Sequence, residues 1–290
     1  MKKPTFSFIV PAHNEEEVIG KCLDSILKQR GNYEIVVVND GSTDKTREIV
    51  ERYVRKHPKR VKLINFSRGH SAAFARNRGA EKARGEWIVF IDADQILEDD
   101  FLKKVEEFLK KNRETDGSDY LVYSYKPKTI FQKAWSAYRA CYPSIGLIHI
   151  IKRKVFEKLK GFNERIFYYE DTEFMERFHK AGYRFKGPVR AVVYHIEPAT
   201  WREFVRQRRW QAKGVVHSFN QGKWVNPLRY FGPLALLPLC LISWIPLAVY
   251  FLAMWLKFAI KSKQPLNSLL WVLLDYLGRM VSFVCLIIRI

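Results

Sequence analysis

Cysteine is sparse and unpatterned in this chain. Its four residues, Cys22, Cys141, Cys240 and Cys285, are scattered, and no CxxC pair occurs. That excludes a zinc ribbon and a disulfide scaffold, and it fits a reducing compartment. No G-x-G-x-x-G follows the first apolar run, where the chain reads Pro11-Ala12-His13-Asn14-Glu15. A dinucleotide-binding Rossmann fingerprint is therefore absent. So acidic a loop would repel a naked pyrophosphate, yet it leaves room for a nucleotide whose phosphates a metal holds. No helix-turn-helix, zinc-finger or RNP pattern occurs. No long apolar stretch follows Met1-Lys2-Lys3-Pro4-Thr5, so a signal peptide is not expected. Acids are the minority charge, 30 against 50 basic residues for a net +20, and that excess calls for an anionic partner. With nucleic-acid motifs missing and long apolar runs present, the expected partners are membrane lipids and phosphorylated substrates, and no nucleic acid.

What is present is an alternation. Apolar, β-branched runs over 5–12, 33–38, 61–66 and 86–91 read as strands. Amphipathic stretches between them read as helices. The first is opened by Asn14 and the acids 15–17 and runs to Leu27; the second ends near His57; the third covers 71–83. Acids in a first turn suit the helix dipole. Gly41 turns the chain after the second strand, and a small polar residue there can cap the helix that follows. Strands alternating with helices imply a parallel sheet with right-handed crossovers. Further on, helices are expected over 99–111 and 154–159 and up to Lys180, where Gly182 stops the last. Strands are expected over 120–125, 146–151 and 189–195, with a polar turn at 115–118. The aromatic, basic stretch 127–142 reads as either loop or helix.

The fourth strand ends in two carboxylates, Asp92-Ala93-Asp94. Ligands of open α/β sheets collect at the carboxyl ends of strands. Two acids one residue apart there can hold a hard divalent cation that grips phosphate oxygens. Such a pair can equally cap the helix that follows a strand.

A set of short motifs sits around this pair. These are Ser7-Phe8-Ile9-Val10-Pro11-Ala12-His13-Asn14-Glu15, Val38-Asn39-Asp40-Gly41-Ser42-Thr43-Asp44, Ala75-Arg76-Asn77-Arg78-Gly79, Asp92-Ala93-Asp94, Gly161-Phe162-Asn163-Glu164, Glu170-Asp171 and Tyr194-His195. In order and spacing the chain resembles the family-2 glycosyltransferases over roughly residues 5 to 215. The resemblance implies an α/β GT-A fold, a Rossmann-like mixed sheet with helices on both faces. It also implies a nucleotide-diphosphate sugar as donor and Mn²⁺ or Mg²⁺ as cofactor. Pro11, Ala12 and Glu15 would line the nucleotide pocket, with Asp40 accepting a hydrogen bond from the base and Arg76 nearby. Asp92 would face the ribose and sugar, and Asp94 would ligate the metal with His195 as a further ligand. Asp171 would be the general base and Glu170 would orient the acceptor. Taken by themselves, Glu170 and Asp171 also read as first-turn helix acids, His195 as a packed strand residue and Asp40 as a turn residue.

The helix expected from Thr200 opens with Thr200-Trp201-Arg202-Glu203, a capping box. It carries Arg202, Arg206, Arg208, Arg209 and Lys213 beside Trp201, Phe204, Val205 and Trp210. It reads as an interfacial helix over 199–222 with its aromatics among headgroups, or as a solvated amphipathic one. Arg206-Gln207-Arg208-Arg209-Trp210 resembles the QxxRW element of processive members, with Arg206 in place of Gln. Arg206, Arg209 and Trp210 are thus candidates for diphosphate and acceptor contacts. The tail over 228–290 holds two apolar runs, 230–256 and 266–288, each meeting the roughly 20 residues a bilayer crossing needs. Pro233, Pro238 and Pro246 make a kinked span or a re-entrant hairpin as natural as a straight helix in the first.

The sequence thus predicts a catalytic domain over 1–198, an interfacial helix and a membrane domain, with the catalytic part on the cytoplasmic face of the cell membrane. The expected activity is inverting, metal-dependent sugar transfer to a hydroxyl of a lipid-linked or envelope acceptor. A polyprenyl- or dolichyl-phosphate sugar synthase is the rival enzyme, and a non-catalytic membrane scaffold the rival from another class. A phosphate acceptor is already ionised and needs no base, so Glu170-Asp171 favours the hydroxyl.

Overall fold

The computed structural model describes residues 3–144, 146–166, 169–207 and 245–287. They divide into two units, residues 1–122 with 144–196 and residues 123–143 with 197–290. The first is built on a six-stranded sheet. Its strands are β1 (Phe6–Ala12), β2 (Tyr33–Asp40), β3 (Val61–Phe66), β4 (Trp87–Phe90), β6 (Gly117–Ser118) and β8 (Ile150–Lys152), in the order β3-β2-β1-β4-β8-β6. The first four run parallel. β8 lies antiparallel to β4, and β6 antiparallel to β8. The sheet is therefore mixed, where strand–helix alternation by itself led to a parallel one. A smaller sheet has the order β5-β9-β7, from β5 (Gln95–Leu97), β9 (Val192–His195) and β7 (Leu121–Ser124).

Both faces of the main sheet are covered, which is why its strands read as unbroken apolar runs. Phe8, Val10, Ile35 and Val37 pack on one face with Ile19, Leu23 and Ile26 of α1 (Ile19–Leu27) and Phe101 and Val105 of α4 (Phe101–Lys111). Ile9, Val36, Ile88 and Phe90 pack on the other with Ala73 and Ala80 of α3 (Ala72–Lys82), Phe156 of α6 (Arg153–Lys158), and Phe174 and Phe178 of α7 (Glu170–Lys180). From β1 the chain steps outward through β2 and β3 and then returns to β4 on the other side of β1. That places a topological switch point between β1 and β4, where open sheets bind ligands.

Two local expectations change. The helix expected from Asn14 begins at Ile19 instead. Asn14 adopts a left-handed backbone, φ 57°, and its side-chain oxygen accepts the backbone N–H of Thr43 at 2.8 Å. The residue that resembled a helix opener ties two loops together. The undecided stretch 127–142 contains a helix, α5 (Ile130–Cys141), capped by reciprocal bonds between Thr129 and Gln132.

In the second unit, α5 packs with the helices Ile245–Ser262 and Pro265–Ile287. Trp135 and Tyr138 lie 4.5 and 4.6 Å from the Trp271 ring, and Phe258 and Val272 complete the core. Among the described residues no helix is long and apolar enough to cross a membrane. Over the described residues the first helix covers Ile245–Ser262 and carries Lys257 and Lys261 in its last turns. The second is interrupted by Asn267 and Asp275. Residues 230–244 and 288–290 of those runs lie outside the described residues. Thr200 caps a helix over 201–207, with Glu203 N–H donating to Thr200 Oγ1 at 3.2 Å, while the Glu203 side chain accepts the Ala199 N–H at 2.8 Å, one residue before the one a capping box uses. Its Phe204 is buried against Phe131, ring centroids 6.0 Å apart, so that aromatic packs in protein rather than among headgroups.

Candidate functional site

The loops at the C-terminal ends of β1 and β2 are laced together. Asn14 N–H donates to Ser42 Oγ at 2.9 Å, Glu16 N–H to Asp44 Oδ2 at 3.1 Å, and Glu15 N–H to Thr46 Oγ1 at 2.7 Å. Thr46 opens α2 (Thr46–Lys56). Gly41 makes the lacing possible: its φ is +68°, and a Cβ there would stand 2.2 Å from the backbone carbon of Arg68. The expected nucleotide residues Pro11, Ala12 and Glu15 lie on the β1 end and the loop after it.

Asp40 ends β2, buried, and both of its carboxylate oxygens meet His70. Oδ2 accepts the His70 backbone N–H and Oδ1 lies 2.8 Å from Nδ1. His70 stacks on Phe74 with centroids 4.0 Å apart, while His13 Nδ1 lies 2.7 Å from the Asp40 carbonyl. A carboxylate has about four acceptor positions, so Asp40 retains capacity for a base while His70 fixes its orientation.

Arg76 of α3 sits between the two acid groups the sequence singled out. It donates to Asp92 Oδ1 at 2.8 Å and to Glu170 Oε1 at 2.7 Å. The residues just after β4 and the start of α7 are thereby bridged by one side chain. Burial opposes charge on Asp92, but the Arg76 guanidinium more than offsets this and holds the carboxyl below its ordinary value. Burial prevails at Glu170, whose carboxyl is pushed up despite Arg76, with Asp171 adding repulsion. Asp171 Oδ1 accepts the Thr172 backbone N–H at 2.6 Å. It is thus a first-turn acid of α7 as well as the neighbour of Glu170.

Asp94 and His195 also meet. Gln95 pairs with His195 in the antiparallel β5–β9 register, which sets the imidazole Nε2 3.2 Å from Asp94 Oδ2. Glu15 stands in the same field. Burial and then repulsion from Asp94 and Asp92 push its carboxyl up to about 8. Among the described residues no group of three or more His, Cys, Asp or Glu side chains could hold a metal ion by itself. An aspartate oxygen beside an imidazole nitrogen suits a divalent ion that takes its remaining ligands from phosphate oxygens. The surplus negative charge registered by Glu15 suits a cation at the same place.

Other contacts were not legible beforehand. Asn77 clamps the Gly161-Phe162-Asn163-Glu164 turn: its side chain donates to the Phe162 carbonyl and to Glu164 and accepts the Phe162 N–H at 2.8 Å. That turn lies six residues before Glu170 in the sequence. His149 Nδ1 lies 2.5 Å from Asp119 Oδ1, and Asp119 Oδ2 accepts Ser144 Oγ at 2.6 Å. Burial opposes the imidazolium, but Asp119 outweighs it and the His149 pKa is raised, with Asp92 and Asp171 contributing. Tyr120, its ring 4.6 Å from His149, bonds through its hydroxyl to the Phe90 carbonyl and Gln95; Gln95 in turn accepts the Asp92 N–H. Residues 119 and 149 are thirty apart and carry no motif; only the Ser118↔Ile150 register of β6 and β8 makes them neighbours. Arg206 is exposed on the helix over 201–207, in the second unit. Arg209 and Trp210 lie outside the described residues.

Residues 7–187 match the model of glycosyl transferase family 2. An uncharacterized glycosyltransferase of Haemophilus influenzae is 39% identical over 113 residues, 39% of this chain and 45% of that protein. A PGL/p-HBAD biosynthesis glycosyltransferase of Mycobacterium bovis is 36% identical over 118 residues, 40% of this chain and 46% of that protein. The chain spans about half the length of the curated relatives it matches. The mannosyltransferase PcManGT of Pyrobaculum calidifontis, solved with GDP-Man and Mn²⁺, superposes with a TM-score of 0.64 at 22% identity, covering 98% of this chain and 87% of that one. The mixed α/β architecture is thus GT-A-like, and the chain belongs to glycosyl transferase family 2.

Proposed function

We propose that this protein is an inverting, metal-dependent glycosyltransferase. It moves a sugar from a nucleotide-diphosphate donor to a hydroxyl of a lipid-linked or envelope glycan acceptor at the cytoplasmic face of the membrane. The observation that carries this reading is the Arg76 bridge, which ties the donor-side Asp92 to Glu170, the neighbour of the proposed base. The nucleotide lies across the ends of β1 and β2, with Pro11, Ala12 and Glu15 along it and Asp40 toward the base. Asp92 faces the ribose and the sugar. Asp94 and His195 would hold Mn²⁺ or Mg²⁺, which when bound offsets charge on the departing diphosphate. Glu170, held by Arg76, orients the acceptor. Asp171 takes the proton of its hydroxyl as that oxygen bonds to the anomeric carbon and the bond from that carbon to the diphosphate breaks, inverting the centre.

Attachment to the membrane rests on the C-terminal hairpin. Val249, Leu252, Leu256 and Ile260 of its first helix and Leu266, Leu269, Leu273 and Leu277 of its second are exposed at helical spacing. A pair of helices with such outward faces lies in the headgroup–acyl boundary rather than across the bilayer.

Mass spectrometry of lipid extracts incubated with a panel of nucleotide sugars tests the reading directly, since a non-catalytic scaffold yields no product. Asp171→Asn separates acceptor classes. Loss of turnover with intact donor binding is expected for a hydroxyl acceptor. Near-normal turnover on polyprenyl phosphate would move the assignment to a sugar-phosphate synthase.

A further inference from the structure

The carboxylates of the site gather at the C-terminal ends of β1 and β4. At the opposite ends of these strands the charge is reversed. A cavity of about 650 Å³ is lined there by Lys3, Lys59, Arg60, Arg84 and Arg153, with Tyr33 and Glu34 in its walls. A second, of about 450 Å³, shares Lys3, Pro4 and Arg153 with it and adds Lys152 and Lys154 beside Glu86. The shared residues join the two into one trough lined by seven cations and two carboxylates, with Asp116 pairing Lys152 at 2.9 Å and Glu157 pairing Arg153 from outside the lining.

The arginines are held in place before any ligand arrives. Arg60 donates to the Tyr33 hydroxyl at 3.0 Å, and its guanidinium lies 4.8 Å from that ring's centre. Arg84 Nε donates to Glu34 at 3.0 Å, and Arg153 Nε to the Gly85 carbonyl at 2.9 Å. Each guanidinium has five N–H donors, and these contacts use only part of that set. Glu34 accepts from Ser7, Lys62 and Arg84 together, so it organises the cations around it. Fixed guanidinium forks match phosphate oxygens, and the side-chain ordering that binding requires is largely complete. None of these residues takes part in the proposed transfer.

We propose that this trough is a second anion site, which binds a phosphate-bearing ligand independently of the donor site. The phosphate comes either from an anionic lipid headgroup or from a soluble phosphoanhydride. The full chain is tested in a chelating buffer. Without divalent ions the end carrying Asp92 and Asp94 repels anions, and the hairpin's own membrane contact is common to parent and variants, so the difference between them reports on the trough. Pyrophosphate is titrated calorimetrically, and vesicles of phosphatidylcholine with and without phosphatidylglycerol are sedimented with the protein. The variant R60Q/R153Q is expected to weaken binding of whichever probe is taken up by about tenfold or more, as loss of charge-assisted contacts requires. Because Arg60 and Arg153 also pack locally, K59Q/K154Q, which leaves those contacts intact, is expected to weaken it in the same direction. Uptake of pyrophosphate identifies a soluble ligand, and a gain in vesicle uptake on adding phosphatidylglycerol that the variants reduce identifies a headgroup. Absence of binding to both probes, or binding that both variants leave unchanged, overturns the proposal.

Discussion

Arg76→Met should be among the costliest single changes in the first unit. The guanidinium is 16% exposed and makes two charge-assisted bonds, to Glu170 (11% exposed) and to Asp92 (41% exposed). Water reaches the Asp92 arm, so its loss contributes no more than about 1 kcal/mol. The Glu170 arm is buried, and breaking a buried pair leaves an uncompensated charge costing about 3–5 kcal/mol. Glu170 relieves part of this by taking up a proton, because its carboxyl already lies above the ordinary value of 4.5. A net loss of about 3 kcal/mol near pH 7 is the expected outcome. An acid whose pKa is raised on folding binds more protons folded than unfolded, so it favours the folded state as pH falls. The Arg76→Met penalty should therefore shrink toward pH 5. Adding Glu170→Gln removes the stranded charge and should restore about 2 kcal/mol. Urea unfolding of the four proteins of this cycle, followed by far-ultraviolet circular dichroism at two pH values, measures all three quantities. A single-variant cost below about 1 kcal/mol, or no recovery on adding Glu170→Gln, would refute the coupling of Asp92 to the Glu170 end.

Other consequences are simpler to test. The raised pKa of His149 means that its pairing with Asp119 stabilises fully below the unfolded value of 6.5 and less as pH rises through the folded value. His149→Gln should therefore lower the urea midpoint in acid more than at pH 9, and an equal loss at both pH values would count against a charged pair. Gly41→Ala places a Cβ 2.2 Å from backbone at a positive φ, and a cost of about 2 kcal/mol or more is expected in thermal unfolding. Thr129→Ala removes the capping box of α5 and should lower stability by about 1 kcal/mol, with Thr129→Ser close to the parent.

Much of the first unit could be read in advance because its forces are local. Strands buried on both faces must be apolar throughout, so 33–38 and 86–91 announced themselves, and Ser71 caps its helix as a residue of its type does. Asn14 failed for the opposite reason. Its preference for caps and turns does not specify which turn, and its side-chain amide oxygen accepts the Thr43 N–H across the loop. The antiparallel course of β8 was equally hidden, since a run such as Ile150-Ile151 carries no direction. In the C-terminal helices Phe258, Trp271 and Val272 owe their apolarity in part to α5, and hydropathy alone does not distinguish a lipid partner from a protein one.

Pattern along the chain determined the α/β alternation, the carboxylates at the end of the fourth strand and the motifs of the family, because each depends on residues close in sequence. Tertiary structure alone decided which of those groups meet. Arg76 reaches Glu170 across 94 positions and joins it to Asp92, strand register seats His195 beside Asp94, and Asp119 meets His149 through β6 and β8. The physical reason is that charges interact over a few ångströms, and those separations are set by sheet order and register, which no local preference encodes.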